Sequence, residues 1–317
     1  MELDITQLKF KLKAKDTIKL PEHPGSTLRG AFGHGLYEIA CNLKEQDCKK
    51  CNLNINCAYS LLFNPFLTAK EEKKASKRFN NKPRPFVFQP KTNGKTLFKP
   101  GEKIEFNLNL FGYTKSFIPY IIESWRLLED KGIGIGRGKF VLAEIWSENY
   151  LSGQAERIYF ANEGKIYNKD LAVTIEDVNK YKNNFSNQQL KLKLKTPLLV
   201  KYNGSYAKEL KFHILMRNLF RRISAMSLFY GEKKLDIAFN KLLEIAKEIK
   251  TIRDKTSWES WHRYSNKQNK KIKMKGLLGE VEYKGDLSDF LSYLIIGELL
   301  HVGKNTVFGL GHYNVLS

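Results

Sequence analysis

Two stretches of strict alternation constrain this chain more than any other feature. Residues 6–14 set Leu8, Phe10 and Leu12 against Lys9, Lys11 and Lys13; residues 188–200 set Leu190, Leu192 and Leu194 against Lys191, Lys193 and Lys195. A period of two puts one set on each face of a strand, so both stretches predict a β-strand with one apolar and one cationic side. The order of elements after each strand also repeats. Beyond the first, Pro21, Pro24 and Gly25 make a turn, and Ser26 or Thr27 is placed to cap a helix running to about Asn42. A cysteine-bearing loop and a basic stretch (70–84) come next, then a short strand at Phe86 and Phe88. The clear alternation KIEFNLNLF (103–111), an apolar helix over 117–130, the glycine run GIGIGRGKF (132–140) and a strand through Ile145 complete the first half.

After the second stretch a helix covers 207–229, with Phe212, Leu215, Met216, Leu219, Phe220, Ile223 and Met226 at helical spacing. A helical piece at 236–249 reads as an insertion. Strands near 259–265 and 276–284, a helix at 287–300, the glycine segment HVGKNTVFGLGHY (301–313) and a final strand close the chain. Two successive βαββαβ orders predict an α+β protein of two tandem ferredoxin-like, RRM-like domains, 1–150 and 187–317. Residues 151–186, with a hairpin around Asn162–Gly164, read as the connection. Helices cover one face of such a sheet, which leaves the lysines of each first strand on the other, as a solvated face or as phosphate contacts rather than base-stacking positions.

Charge narrows the partner. Lysine and arginine total 54 against 33 acids, a net charge of +21, which favours a polyanion and above all nucleic acid. Apolar residues, at 42%, suffice for a folded core. With no long uncharged apolar run and no basic-then-apolar leader, the expected location is cytoplasmic, with no membrane partner.

All four cysteines fall in one loop, Cys41, Cys48, Cys51 and Cys57. A C-x₂-C pair turns two sulfurs toward one ion, and Cys41 with Cys57 could close a tetrahedral site. The expectation is one structural zinc in a knuckle at 41–57 inserted in the first domain; an iron–sulfur cluster and a group of unmetallated thiols are the alternatives. Four protein ligands leave no open position, so this metal would staple a loop and take no part in catalysis. Elsewhere, the glycine segments at 132–138 and 303–311, with Arg137, Lys139 and Lys304 beside them, suggest phosphate cradles or plain turns. On the helix at 207–229, His213, Arg217 and Arg221 share one face. The run NKQNKKIKMK (266–275), with Lys271 in it, is either solubilising charge or an RNA contact.

The segments LRGAFGHGLYEIAC (28–41), CKKCNLNINCAYSLLF (48–63), RYSNKQ (263–268), MKGLLGEVEYKGDL (274–287) and above all GELLHVGKNTVFGLGHY (297–313) resemble the CRISPR repeat-RNA processing endoribonucleases of the RAMP superfamily. The cysteines resemble a branch of that family with a four-cysteine knuckle after the first helix. The resemblance implies tandem ferredoxin-like domains and binding of the CRISPR repeat in precursor crRNA. It further implies a single metal-independent cut by a 2′-hydroxyl, leaving a 2′,3′-cyclic phosphate and a 5′-hydroxyl. Two rivals stand beside it: a non-catalytic crRNA-binding subunit working with CRISPR effector subunits, and a zinc-stabilised adaptor for structured RNA in general.

Such chemistry needs a base, an acid and positive charge near the phosphorane, and histidine suits either proton role. Leu28, Phe32, Leu36 and Ile39 form the apolar side of the first helix, and His34 lies about 200° around from Phe32. Gly30, Gly33 and Gly35 surround it, each costing roughly 1 kcal/mol in a helix interior unless something approaches closely. His34 is the first candidate catalytic residue, as the family often has a histidine here. His301, at a helix end, is the second, and Tyr37 could assist with its hydroxyl. Arg29, like Lys304, could offset phosphate charge.

Overall fold

The computed structural model describes residues 3–44, 47–75, 79–232, 238–265 and 269–317. Parts of the basic stretches at 70–84 and 266–275, and of the motif RYSNKQ, lie outside them. Two units divide the chain: Met1–Thr174 with Ala225–Lys234, and Ile175–Ser224 with Leu235–Ser317.

In the first unit the leucine side of the opening strand becomes the sheet's core face. Leu8, Phe10 and Leu12 of β1 (Ile5–Ala14) are fully buried. The short β2 (Ile18–Lys19) leads to α1 (Gly25–Ala40), which starts behind Pro24, so Ser26 and Thr27 fall inside its first turn and neither caps it. α2 (Ala69–Ala75), β3 (Phe86–Pro90), β4 (Leu97–Phe98), β5 (Lys103–Phe111), α3 (Ile118–Lys131), β6 (Phe140–Asn149) and β7 (Gln154–Phe160) complete the unit. The sheet runs β3-β5-β1-β6-β7 with antiparallel pairs, the ferredoxin-like order plus one edge strand. That edge strand comes from the segment expected as a connection; burial of Ile158 and Tyr159 holds it against β6.

Helix α3 seats Trp125 with its ring 4.9 Å from Phe106 and 5.8 Å from Phe10. Helix α1 sets Phe32 edge-on to Phe86 and Phe88 at 5.5 and 5.8 Å. Its glycines separate by role. A Cβ at Gly35 would lie 2.5 Å from the Ser124 carbonyl of α3, and one at Gly33 would lie 2.0 Å from the Phe63 ring. A Cβ at Gly30 would meet nothing within 4 Å.

The second unit repeats the plan with α4 (Ile175–Tyr181), β8 (Gln189–Leu198), the hairpin β9 (Lys201–Tyr202) and β10 (Ser205–Tyr206), then α5 (Phe212–Tyr230), which belongs to it as far as Ser224, and α6 (Phe239–Glu248). β11 (Lys250–Asp254), β12 (Ser257–Ser265), β13 (Lys270–Lys284), α7 (Leu291–Leu300) and β14 (Tyr313–Leu316) complete it. Strand order is β11-β13-β8-β14, the same permutation as in the first unit, with β12 paired to the outer part of the long β13. Leu190, Leu192 and Leu194 meet a core that holds Phe212, Leu215, Met216, Leu219 and Phe220 of α5. The fold is therefore α+β with two ferredoxin-like sheets.

The cationic sides of β1 and β8 differ from the expectation of bare phosphate contacts. Strand register sets glutamates across from them, Glu105 and Glu144 beside Lys11, Glu282 beside Lys191 and Glu280 beside Lys193. Lys11 reaches Glu144 at 2.8 Å, Lys9 reaches Glu148 at 3.4 Å, and Lys193 reaches Glu280 at 3.5 Å. Cross-strand pairing of opposite charges stabilises a sheet and offsets the positive potential of these four lysines, while Lys13 and Lys195 stay exposed.

Candidate functional site

Helix α1 gives the first unit its exposed imidazole. Its buried side consists of Leu28, Phe32, Gly33, Gly35 and Leu36, which leaves His34 in solvent with Gly30 one turn before it on the same exposed face. Arg29 and Tyr37 point to other partners. The Arg29 guanidinium lies 3.9 Å from the Phe63 ring, and Arg84, on the same ring at 5.7 Å, bonds the Phe63 carbonyl at 2.6 Å. Burial pulls Arg84 below the usual arginine range. Two guanidiniums around one ring make a positive, half-buried flank on α1.

Tyr37 packs edge-on to Tyr59 at 5.1 Å and turns its hydroxyl to Cys41. Desolvation raises its pKa, and the nearby Cys41, Glu38 and Cys48 raise it further, so this hydroxyl holds its proton at neutral pH. It faces the cysteine loop, a direction that helical spacing alone does not give.

Within that loop Cys41 and Cys48 are buried, Cys51 and Cys57 half-buried, and all four are free thiols. The Cys51 N–H donates to the Cys48 carbonyl at 3.4 Å, closing the C-x₂-C turn, and the Cys57 thiol faces the Ala40 carbonyl at 3.6 Å. Burial raises the Cys48 pKa; a bond from Asn64 opposes the rise, while Cys57, Cys41 and Cys51 add to it. The other three sulfurs thus act on Cys48 directly. Soft thiols gathered in one loop suit a thiophilic dication. Among the described residues, no group of three or more metal-binding side chains is already drawn together as a site.

The glycine segments are turns built on their own backbone. At 132–138 a Cβ on Gly132 would lie 2.0 Å from the Arg137 carbonyl, and the N–H groups of Gly132, Ile133, Ile135 and Arg137 all donate to backbone carbonyls. At 303–311 a Cβ on Gly311 would lie 1.8 Å from the Val302 carbonyl, and the N–H groups of Lys304, Phe308, Gly309 and Gly311 are likewise used internally. Those amides are not available as a phosphate cradle. The cations beside them remain exposed: Arg137, Lys139 and Lys304, with Lys139 3.9 Å from Asp130.

His301 is fully buried, stacked on His312 with ring centroids 4.9 Å apart. Burial holds its pKa well below the usual histidine range, with His312 and Arg222 adding to the effect. On α5, Arg217 and Arg221 are exposed, and His213 sits edge-on to Tyr202 at 5.4 Å with Arg217 6.0 Å from the same ring. Lys271 is exposed on β13. The structure thus groups Arg29, His34 and Tyr37 on one helix of the first unit, and His213, Arg217 and Tyr202 on one surface of the second. Tyr202 was not singled out by sequence, since its ring matters only once β9 folds back over α5.

Residues 192–313 match the family model described as CRISPR-associated endoribonuclease Cas6, and residues 3–171 match a model described as an N-terminal domain, AF_1859_N. An uncharacterized protein of Archaeoglobus fulgidus is 25% identical over 99% of both chains. A Thermus thermophilus Cas6 solved as a product complex is 14% identical with a TM-score of 0.56, covering 98% of this chain and 100% of that one. A partial Cas6-RT-Cas1–Cas2 complex gives a TM-score of 0.59 at 13% identity; it covers 99% of this chain, which spans only 46% of the longer one. The chain belongs to the family of the AF_1859 N-terminal domain through residues 3–171, and its residues 192–313 are a Cas6-type domain with the fold of the solved Cas6 structures. No helix among the described residues is long and apolar enough to cross a membrane.

Proposed function

We propose that this protein cuts precursor CRISPR RNA once within the repeat, with His34 as a proton-transfer residue. The observation that carries the reading is the exposed imidazole on α1 beside the bare helix surface at Gly30. In the reaction, the 2′-hydroxyl oxygen bonds to the adjacent phosphorus and the bond from phosphorus to the 5′-oxygen breaks. The proton leaves the 2′-oxygen for a base, and an acid delivers one to the departing 5′-oxygen. The products are a 2′,3′-cyclic phosphate and a 5′-hydroxyl. An imidazole serves either transfer near neutral pH. The buried His301 has no surface to offer a phosphodiester, so it supports the fold around the C-terminal turn in this reading. Cations such as Arg137, Lys139, Arg217, Arg221 and Lys304 would hold phosphates.

Cys41, Cys48, Cys51 and Cys57 would bind one structural zinc, a reading supported by thiol chemistry and by their confinement to the one loop 41–57. Its role is to fix the loop against the end of α1, and metal analysis should find about one zinc per chain. The test of the activity is incubation with repeat RNA in excess chelator. A single cut with a cyclic phosphate end, lost in His34→Ala, supports the nuclease. Tight repeat binding without a cut would instead make it a crRNA-holding subunit, and binding indifferent to sequence would make it a general RNA adaptor.

A further inference from the structure

The two sides of strand β12 carry different chemistry. Trp258, Ser260, His262 and Tyr264 occupy one side, Glu259, Trp261 and Arg263 the other. Register with β13 places Ser260 opposite Lys275, His262 opposite Lys273 and Tyr264 opposite Lys271, and residues directly opposite share a face. The second side is packed: Trp261 lies opposite the buried Met274, and the Arg263 guanidinium sits 4.8 Å from the Phe308 ring.

The first side is open. Trp258 is 41% exposed, Tyr264 56%, and Lys271, Lys273 and Lys275 are all exposed. Lys275 places its ammonium 5.6 Å from the Trp258 ring and 5.2 Å from that of Tyr206 on β10, itself 38% exposed. Lys201 approaches the same Tyr206 ring at 5.4 Å. Glu259, the one acid of β12, lies on the packed side. Among the described residues, Lys201, Lys271, Lys273 and Lys275 form no ion pair with a carboxylate. Rings and unpaired ammoniums left together in water are a surface made for a ligand with π faces and negative charge.

We propose that this face of the β12–β13 hairpin, with Tyr206 beside it, binds unpaired RNA nucleotides. Bases stack on Trp258, Tyr206 and Tyr264, and phosphates meet Lys271, Lys273 and Lys275. Alternate residues on a strand stand roughly 7 Å apart. Duplex bases are stacked about 3.4 Å apart along each strand and hide their faces, so only an unstacked strand fits this spacing. The inference rests on the RNA-binding half of the proposed function and not on cleavage.

The test is titration of the full chain with a short oligouridylate and with a blunt RNA duplex of equal length, monitored by intrinsic fluorescence. Of the four tryptophans Trp125 is fully buried, Trp146 and Trp261 are half-buried and Trp258 is exposed, so the part of the quenching lost in Trp258→Leu is the part that Trp258 reports. The single strand should quench the signal more than the duplex does. Trp258→Leu and Trp258→Phe should both lose that quenching, but by filter binding Trp258→Leu should lose about ten-fold in affinity while Trp258→Phe keeps most of the affinity. Replacing the three lysines with glutamine should reduce the slope of log affinity against log salt by about 2. Equal quenching by the duplex, or unchanged oligouridylate affinity in a Trp258→Leu protein with parental circular dichroism, would overturn the proposal. Quenching in a protein that never cuts repeat RNA would leave this site standing and remove the nuclease; normal cutting with no effect of Trp258→Leu would do the reverse.

Discussion

Lys9 and Lys11 of β1 and Lys191 and Lys193 of β8 lie within reach of glutamates on neighbouring strands, whereas Lys275 at the outer end of β13 faces two aromatic rings, and Lys271 and Lys273 beside it pair with no carboxylate among the described residues. From sequence the first pair reads as alternating basic strands and the second region as a lysine run at 266–275 ahead of a strand at 276–284, whereas the described strand begins at Lys270. The difference shows that a lysine run supplies usable charge only where the register leaves it unopposed. It also separates two duties: in the first unit the exposed group is an imidazole suited to chemistry, and in the second it is a cationic, aromatic surface suited to grip.

That division is most sharply tested at His34. His34→Ala should lower single-turnover cleavage by about 10²- to 10⁴-fold with little change in RNA affinity, because general acid–base transfer is worth that much. Equal losses in binding and cutting would erase the distinction. On the gripping side, Lys273→Gln with Lys275→Gln should weaken RNA binding about ten-fold at low salt, measured by filter binding.

The buried His301 gives the second unit an acid sensitivity. Because burial depresses its folded pKa, the unfolded chain takes up a proton that the folded one refuses as pH falls below about 6.5. Stability to urea should therefore be independent of this group above that pH and fall below it until the folded pKa is reached. His301→Leu should flatten that part of the profile; an unchanged slope would assign the loss to other groups.

Smaller effects divide the glycines of α1. Gly30→Ala should raise stability by about 1 kcal/mol, since nothing is near its Cβ, yet weaken RNA cleavage if the substrate lies there. Gly35→Ala should instead destabilise, because the Ser124 carbonyl occupies that space. Finally, Lys9→Gln with Lys11→Gln should change RNA affinity less than about two-fold, as both ammoniums are already held by glutamates on neighbouring strands. A drop as large as that from β13 would break the comparison between the two surfaces.

Much of this was readable in the residues. The leucines of β1 and β8, the stripe on α5 and the outward position of His34 follow from periods of 2 and 3.6, which local backbone geometry enforces. Ser26 and Thr27 misled because the helix starts before them, behind Pro24. His301 looked like a helix-end cation, and only packing against His312 and Arg222 shows it as a core residue. The glycine segments were visible, but whether their amides faced a ligand or their own carbonyls depended on how each turn closed.

Alternation and spacing determined the two βαββαβ repeats, the clustered thiols and the excess of positive charge, because these are properties of neighbouring residues along the chain. Tertiary structure alone decided which charges are neutralised, which imidazole meets water and which rings stay uncovered. Those outcomes depend on what distant segments bring alongside, and Coulombic pairing and burial act through space.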